Sequence, residues 1–243
     1  MSRTVKIVAA VVVVVVVVGG IGLWWYLRDD SPAAVDLDTA SESVSTTTGE
    51  TGETSGLTDI DGTWVVDTDS GSFDFESATG TFAGFRVEEE LSAIGSTTAV
   101  GRTGDVSGSM TIADGVLTRA SFEVQMDTIT TDRSQRDSRM RDALDTDSFP
   151  TATFTLTEPV DLGADPATSD VAVTAVGELT LHGVTRSVEV PIEARVVGET
   201  VVAIGSFTIS FADYDITAPS APIVLSVSDE GIIEMQLLLT KQA

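Results

Sequence analysis

Cysteine and asparagine are missing from this chain, histidine occurs once and lysine twice. Without cysteine there is no disulfide, no thiolate metal site, no thiol nucleophile and no lipid attached through a thioether. Without asparagine there is no N-x-[ST] acceptor, and turns fall to Gly, Asp, Pro and Ser. A single histidine, His182, removes every multi-histidine metal site and leaves a serine triad one candidate base. Nucleophile elbows, HExxH patterns and phosphate-cradling loops are absent as well, and the spaced glycines of VGRTGDVSG read as a loop before a strand. Positive charge is scarce: 13 basic residues stand against 38 acidic ones, for a net charge of -25. That imbalance repels nucleic-acid phosphate, so no nucleic-acid partner is expected. Arginine outnumbers lysine eleven to two, which fits a high-GC genome or salt-adapted chemistry equally.

What is present divides the chain into three parts. Ile7 to Leu27 is 21 residues without a charge, including eight consecutive valines. A helix of that length spans a hydrocarbon core of about 30 Å. Trp24, Trp25 and Tyr26 mark its far interface, and Arg3 and Lys6 place the N-terminus in the cytoplasm. The bulky aromatics replace the small residues that a signal-peptide cleavage site needs. Residues 1–28 are therefore expected to be a cytoplasmic tip and uncleaved membrane anchor, with everything beyond them extracytoplasmic. Residues 29–57, rich in Ser, Thr, Gly and acid, are expected to be a disordered stalk.

Residues 58–243 form the third part, with apolar residues at period two. Phe122, Val124 and Met126 alternate with polar neighbours, as do Val188, Val190, Ile192, Ala194 and Val196. Both are half-buried strands. Similar alternation covers 63–67, 72–76, 106–112, 151–157, 171–181, 201–209 and 231–239. Asp114-Gly115 and His182-Gly183 fall between strands as hairpin turns. Eight or more sequential strands predict an all-β antiparallel barrel. One helix is expected over 132–144, capped by Asp132, with Met140 and Leu144 facing the core. In register with the bulky inward positions stand Gly108, Ala120, Ala152, Ala175, Gly177, Ala194, Ala203 and Gly205. Small inward residues fit an interior with room for one ligand; strand bending and tight packing explain them equally well.

Four of the eleven arginines, Arg133, Arg136, Arg139 and Arg141, cluster on the expected helix among Asp132, Asp137, Asp142 and Asp145. They form either a polar mouth for an oxygenated headgroup or a self-neutralised surface. His182 lies on a tight turn with no nucleophile beside it, and Glu88-Glu89-Glu90 reads as solvated surface. No enzyme, metal or cofactor is expected.

Several segments together resemble the YceI-like family: GTWVVD at 62–67, SGSMTI, RASFEVQMDTITTD at 119–132, RDSRMRDALDTDSFPTATF at 136–154 and GELTLHGVTRSVEVPIEA at 177–194. FTISFADYDITAP and the last strand extend the likeness over about residues 58–240. The resemblance implies a lipocalin-like barrel with an apolar tunnel for polyisoprenoids or similar long amphiphiles. Trp64, Arg136, Asp137, Phe149, Pro150, Phe154, Gly177, Leu179, His182 and Gly183 match its motifs, largely as fold-defining positions. Many relatives follow the first strand with a His-Ser pair and a short helix; this chain instead reads VDTDSGSFDFESATGTF. The expected function is extracytoplasmic binding or transport of a long-chain apolar ligand, with Phe75, Phe82, Phe122, Phe154, Phe207, Arg136 and His182 as contacts. A ligand-free partner-binding module is the alternative.

Overall fold

The computed structural model describes residues 31–48, 57, 59–92, 95–218 and 224–242. The expected membrane anchor lies outside them. Among the described residues, no helix is long and apolar enough to cross a membrane.

Thirteen strands among the described residues form one antiparallel sheet: β1 (Gly62–Val66), β2 (Phe82–Leu91), β3 (Gly95–Thr103), β4 (Val106–Ala113), β5 (Val116–Gln125), β6 (Thr130–Thr131), β7 (Thr151–Leu156), β8 (Val160–Asp161), β9 (Val171–Leu181), β10 (Val184–Val197), β11 (Thr200–Ser210), β12 (Val224–Val227) and β13 (Glu230–Lys241). Eight of them close a ring in the order β1-β4-β5-β7-β9-β10-β11-β13, because β1 pairs with β13 through Trp64 opposite Lys241 and Val66 opposite Leu239. Closure leaves the ring no bare edge.

The long β13 gives the barrel two tiers. One of its edges pairs with β11 along its length. The other pairs with β1 near its C-terminal end and with β2 over Ile232–Gln236. Beyond β2 the sheet continues through β3 to β6. Two apolar clusters follow: Trp64, Ile112, Leu117, Val201 and Leu239 belong to the lower tier, and Met126, Ile129, Leu179, Leu181 and Ile209 to the upper one. Helix α2 (Ser134–Leu144) packs Met140 into the upper cluster.

Both expected hairpin turns have positive φ at both central residues, 53° and 72° at Asp114-Gly115 and 51° and 75° at His182-Gly183. These are the values that a two-residue primed turn requires. The Asp61 carboxylate accepts the Asp114 and Gly115 N–H groups at 2.8 and 3.2 Å, tying that turn to the start of β1.

Four local expectations need correction. Residues 72–76 form no strand, and Thr79 and Gly80 N–H groups fold back onto the Ser72 carbonyl instead. Val100–Thr103 of the expected glycine loop completes β3, because Gly101 admits the Phe85 ring of the neighbouring strand. Asp132 does not cap α2; its carboxylate pairs with Arg133 and Arg136, while Asp137 accepts Thr131 N–H and hydroxyl at 2.8 and 2.6 Å. Finally, Leu37–Thr48, within the expected stalk, is a helix, α1.

Asp36 caps α1 by accepting from Thr39 N–H at 2.9 Å, which holds its carboxyl below the usual carboxylate range. Leu37, Ala40 and Val44 share one face. They pack on Val202, Ile204 and Leu238, which point outward from β11 and β13. Full burial of each large apolar side chain contributes about 1.5–3 kcal/mol toward holding the helix in place.

The segment before α1 covers a second buried patch. Glu234, 1% exposed, accepts from Arg86 Nε at 2.8 Å and from Arg102 Nε and Nη2 at 2.9 and 2.7 Å. The two guanidiniums also donate to the Pro32 and Ala33 carbonyls, and Arg102 lies 4.4 Å over the Phe82 ring. The outer face of β2, β3 and β13 is thus sealed by the chain's own N-terminal arm.

Candidate functional site

The inward side chains do not fill the barrel. In the upper tier a cavity of about 200 Å³ lies beneath α2, lined by Phe85, Ile129, Met140, Leu144, Phe207 and Ile233 among others. In the lower tier a cavity of about 80 Å³ is lined by residues such as Ile112, Leu117, Leu156 and Val201. Both linings are apolar but for a few groups. The clearest of these is a pair at the α2 end of the upper cavity, where Arg136 Nη2 stands 3.3 Å from the Glu89 carboxylate. Arg136 also pairs with Asp132 one helical turn back. It is therefore both a rim residue and a neutralised one.

The small inward residues split into two kinds. Ala120, Ala175, Ala194 and Ala203 line the lower cavity and Ala152 the upper one, leaving volume where a larger side chain would stand. The glycines leave none. A Cβ at Gly177 would meet Phe154 Cζ at 2.4 Å, one at Gly108 would meet Phe122 Cδ1 at 2.7 Å, and one at Gly205 would meet Met235 Cε at 2.7 Å. Each glycine is a seat for a neighbour's side chain. The alanines make space and the glycines accept what fills it.

Comparison with known proteins bears on this architecture. Residues 64–239 match the model of the YceI-like domain. The chain belongs to the YceI-like family. It is 31% identical over 157 residues to a UPF0312 protein of Shewanella sp. (strain MR-4), covering 60% of this chain and 78% of that one. A polyisoprenoid binding domain from Saccharophagus degradans, implicated in plant cell wall breakdown, superposes with a TM-score of 0.55 at 20% identity. The alignment covers 74% of this chain and 98% of that one. Burkholderia cenocepacia BcnA does so with a TM-score of 0.51 at 17% identity, covering 65% and 95%. These structures share the fold of this YceI-like domain.

Within the YceI-like barrel, Phe122 and Phe154 are paired on β5 and β7 and line both cavities, while Phe207 and Arg136 line the upper one. The other three expected contacts lie elsewhere. Phe75 is half-buried in the turn after β1. Phe82 points outward, since on β2 it is Ala83, Phe85, Val87 and Glu89 that reach the lumen. His182 sits at its turn with Nδ1 donating to the Tyr214 carbonyl at 2.9 Å and its ring edge-on to Phe149 at 4.9 Å. A carbonyl can only accept, so this contact fixes the tautomer with Nδ1 protonated. His182 therefore fastens the β9–β10 turn to the segment after β11.

Phe85 and Ile129 are lining residues that the sequence pattern did not single out, whereas Met140 and Leu144, expected to face the core, do line the upper cavity. The signal for Phe85 was its parity with Ala83 and Val87, which separates it from Phe82. Tyr214 is buried with no hydrogen-bond partner for its hydroxyl among the described residues, and burial, reinforced by Asp213, holds its pKa above the ordinary phenol value.

Proposed function

We propose that this YceI-like domain binds a single long-chain apolar molecule, an isoprenoid or a similar lipid, in its upper cavity, outside the cytoplasm and beside the membrane. The apolar cavity carries the reading. Engineered apolar cavities of about 150 Å³ stay dry and take up benzene, so one of about 200 Å³ favours a hydrocarbon guest over water. The polar Arg136–Glu89 rim gives an oxygenated head a place to rest while the chain points inward. The structural likeness to a polyisoprenoid binding domain supports the same ligand class.

The apolar run at 7–27, read together with the arm, supports attachment to the membrane. Ser31 Oγ donates to the Thr98 carbonyl at 2.5 Å, and Thr98 pairs with Glu88, next to the rim residue Glu89. An anchor ending at Leu27 would hold the polar end of the cavity close to the bilayer surface, where a carrier takes up or delivers lipid. Among the described residues that line the lumen, none pairs a nucleophile with a base, so the proposed role is binding rather than catalysis.

Native mass spectrometry of the full chain released from non-ionic micelles tests the ligand. One noncovalent apolar adduct per chain is expected. Protein free of adduct that also fails to take up added isoprenoid alcohols would refute the reading and leave a partner-binding module. Protease applied to intact cells tests the topology: a soluble fragment beginning after residue 29 is expected, and full protection of the domain would overturn it.

A further inference from the structure

Four side chains, Phe122, Phe154, Met235 and Leu237, line both cavities and so stand between them, and all but Leu237 lie against a glycine. Phe122 and Phe154 face each other across β5 and β7, and Met235 projects from β13, four places round the eight-strand ring from β7. They approach from opposite walls. We infer that the three side chains seated on glycine form a gate that splits the lumen into two chambers and sets the length of apolar chain the barrel accepts. This inference rests on the ligand-binding reading above.

Size makes the gate consequential. The upper chamber, at about 200 Å³, only modestly exceeds the cavity that holds benzene. In the resting structure it fits a ring or a short chain. A longer chain with its head at Arg136 must push its tail past the gate into the alanine-lined lower chamber of about 80 Å³.

The three side chains are seated for such movement. Each lies against bare glycine backbone: Phe122 on Gly108, Phe154 on Gly177 and Met235 on Gly205. A ring on a glycine interlocks with no opposing side chain there, so it leaves fewer contacts behind when it turns. Methionine adds three rotatable bonds and no branch. The lower chamber ends in the packed cluster around Trp64 and Leu239, both 0% exposed, which sets the far limit.

Competition between geraniol and geranylgeraniol at equal concentrations tests this, with occupancy read by native mass spectrometry of the full chain in non-ionic micelles. The occupancy ratio of long to short alcohol is internal to each sample and insensitive to the fraction folded. Phe154→Ala and Met235→Ala should each raise that ratio about tenfold, the gain from burying roughly two more methylenes. Ala175→Leu, which fills the lower chamber behind the gate, should lower it by a similar factor. Circular dichroism identifies folded variants, and Met235→Ala decides the matter should Phe154→Ala not fold. A ratio that stays constant in all folded variants, with both alcohols still bound, would overturn the gate and leave the ligand site standing. Binding of neither alcohol to the unaltered chain would overturn both.

Discussion

Replacing Glu234 by Gln removes the one carboxylate that neutralises two guanidiniums in a buried patch. The Glu234 side chain is 1% exposed, Arg102 5% and Arg86 13%, so water cannot readily take its place. Three charge-assisted hydrogen bonds of 2.7 to 2.9 Å end on it. Glutamine keeps one acceptor oxygen but turns an amide N–H₂ toward a cation. Breaking a buried ion pair from one side costs about 3–5 kcal/mol, since the remaining charge stays desolvated. Against a domain stability of about 5–15 kcal/mol, that is a large fraction. Urea unfolding followed by circular dichroism should show the midpoint falling accordingly. Because Arg86 and Arg102 also hold the Pro32 and Ala33 carbonyls, the arm should loosen, and proteolysis near residue 33 should speed up. A loss below about 1 kcal/mol, of the size seen for exposed pairs, would refute the claim that this network is sealed from water.

His182→Ala should cost about 1–2 kcal/mol, from the lost bond to the Tyr214 carbonyl and a left-handed residue with no side-chain contact, and should leave ligand occupancy unchanged by native mass spectrometry. Gly177→Leu should destabilise by about 1–3 kcal/mol or more in thermal melts, because its Cβ would strike Phe154 and the Thr155 carbonyl. The Arg195 guanidinium, bonded to Asp170 at 2.7 Å, holds the Asp170 carboxyl below the usual carboxylate range. A lowered folded pKa contributes stability that is complete above the unfolded value, about 3.9, and is lost as pH falls through the folded one. For a pair this exposed the contribution is about 0.2–1 kcal/mol, so Asp170→Asn should lower stability slightly at neutral pH and remove that part of the acid sensitivity.

The sequence by itself determined that this domain is a barrel of antiparallel strands with primed turns at Asp114-Gly115 and His182-Gly183. Period two and turn chemistry are local properties, written in adjacent residues. The order of the family's motifs was legible for the same reason. Which face of β2 looks into the lumen was decided only by its pairing with β13, which sets Phe85 opposite the inward Ile233 and Phe82 opposite the outward Gln236. The acidic arm looked too polar to fold, yet Leu37, Ala40 and Val44 lie at helical spacing, and the partner they need, the outward face of β11 and β13, is far away in sequence. That face left a trace in the unbroken apolar runs at Val201–Ile204 and Leu237–Leu239, which bury both sides of a strand. Glycine and alanine at inward positions look alike as small residues. Only the neighbouring strands, carrying Phe122, Phe154 and Met235 to three of the glycines and nothing comparable to the alanines, decided which positions are filled and which leave the cavity.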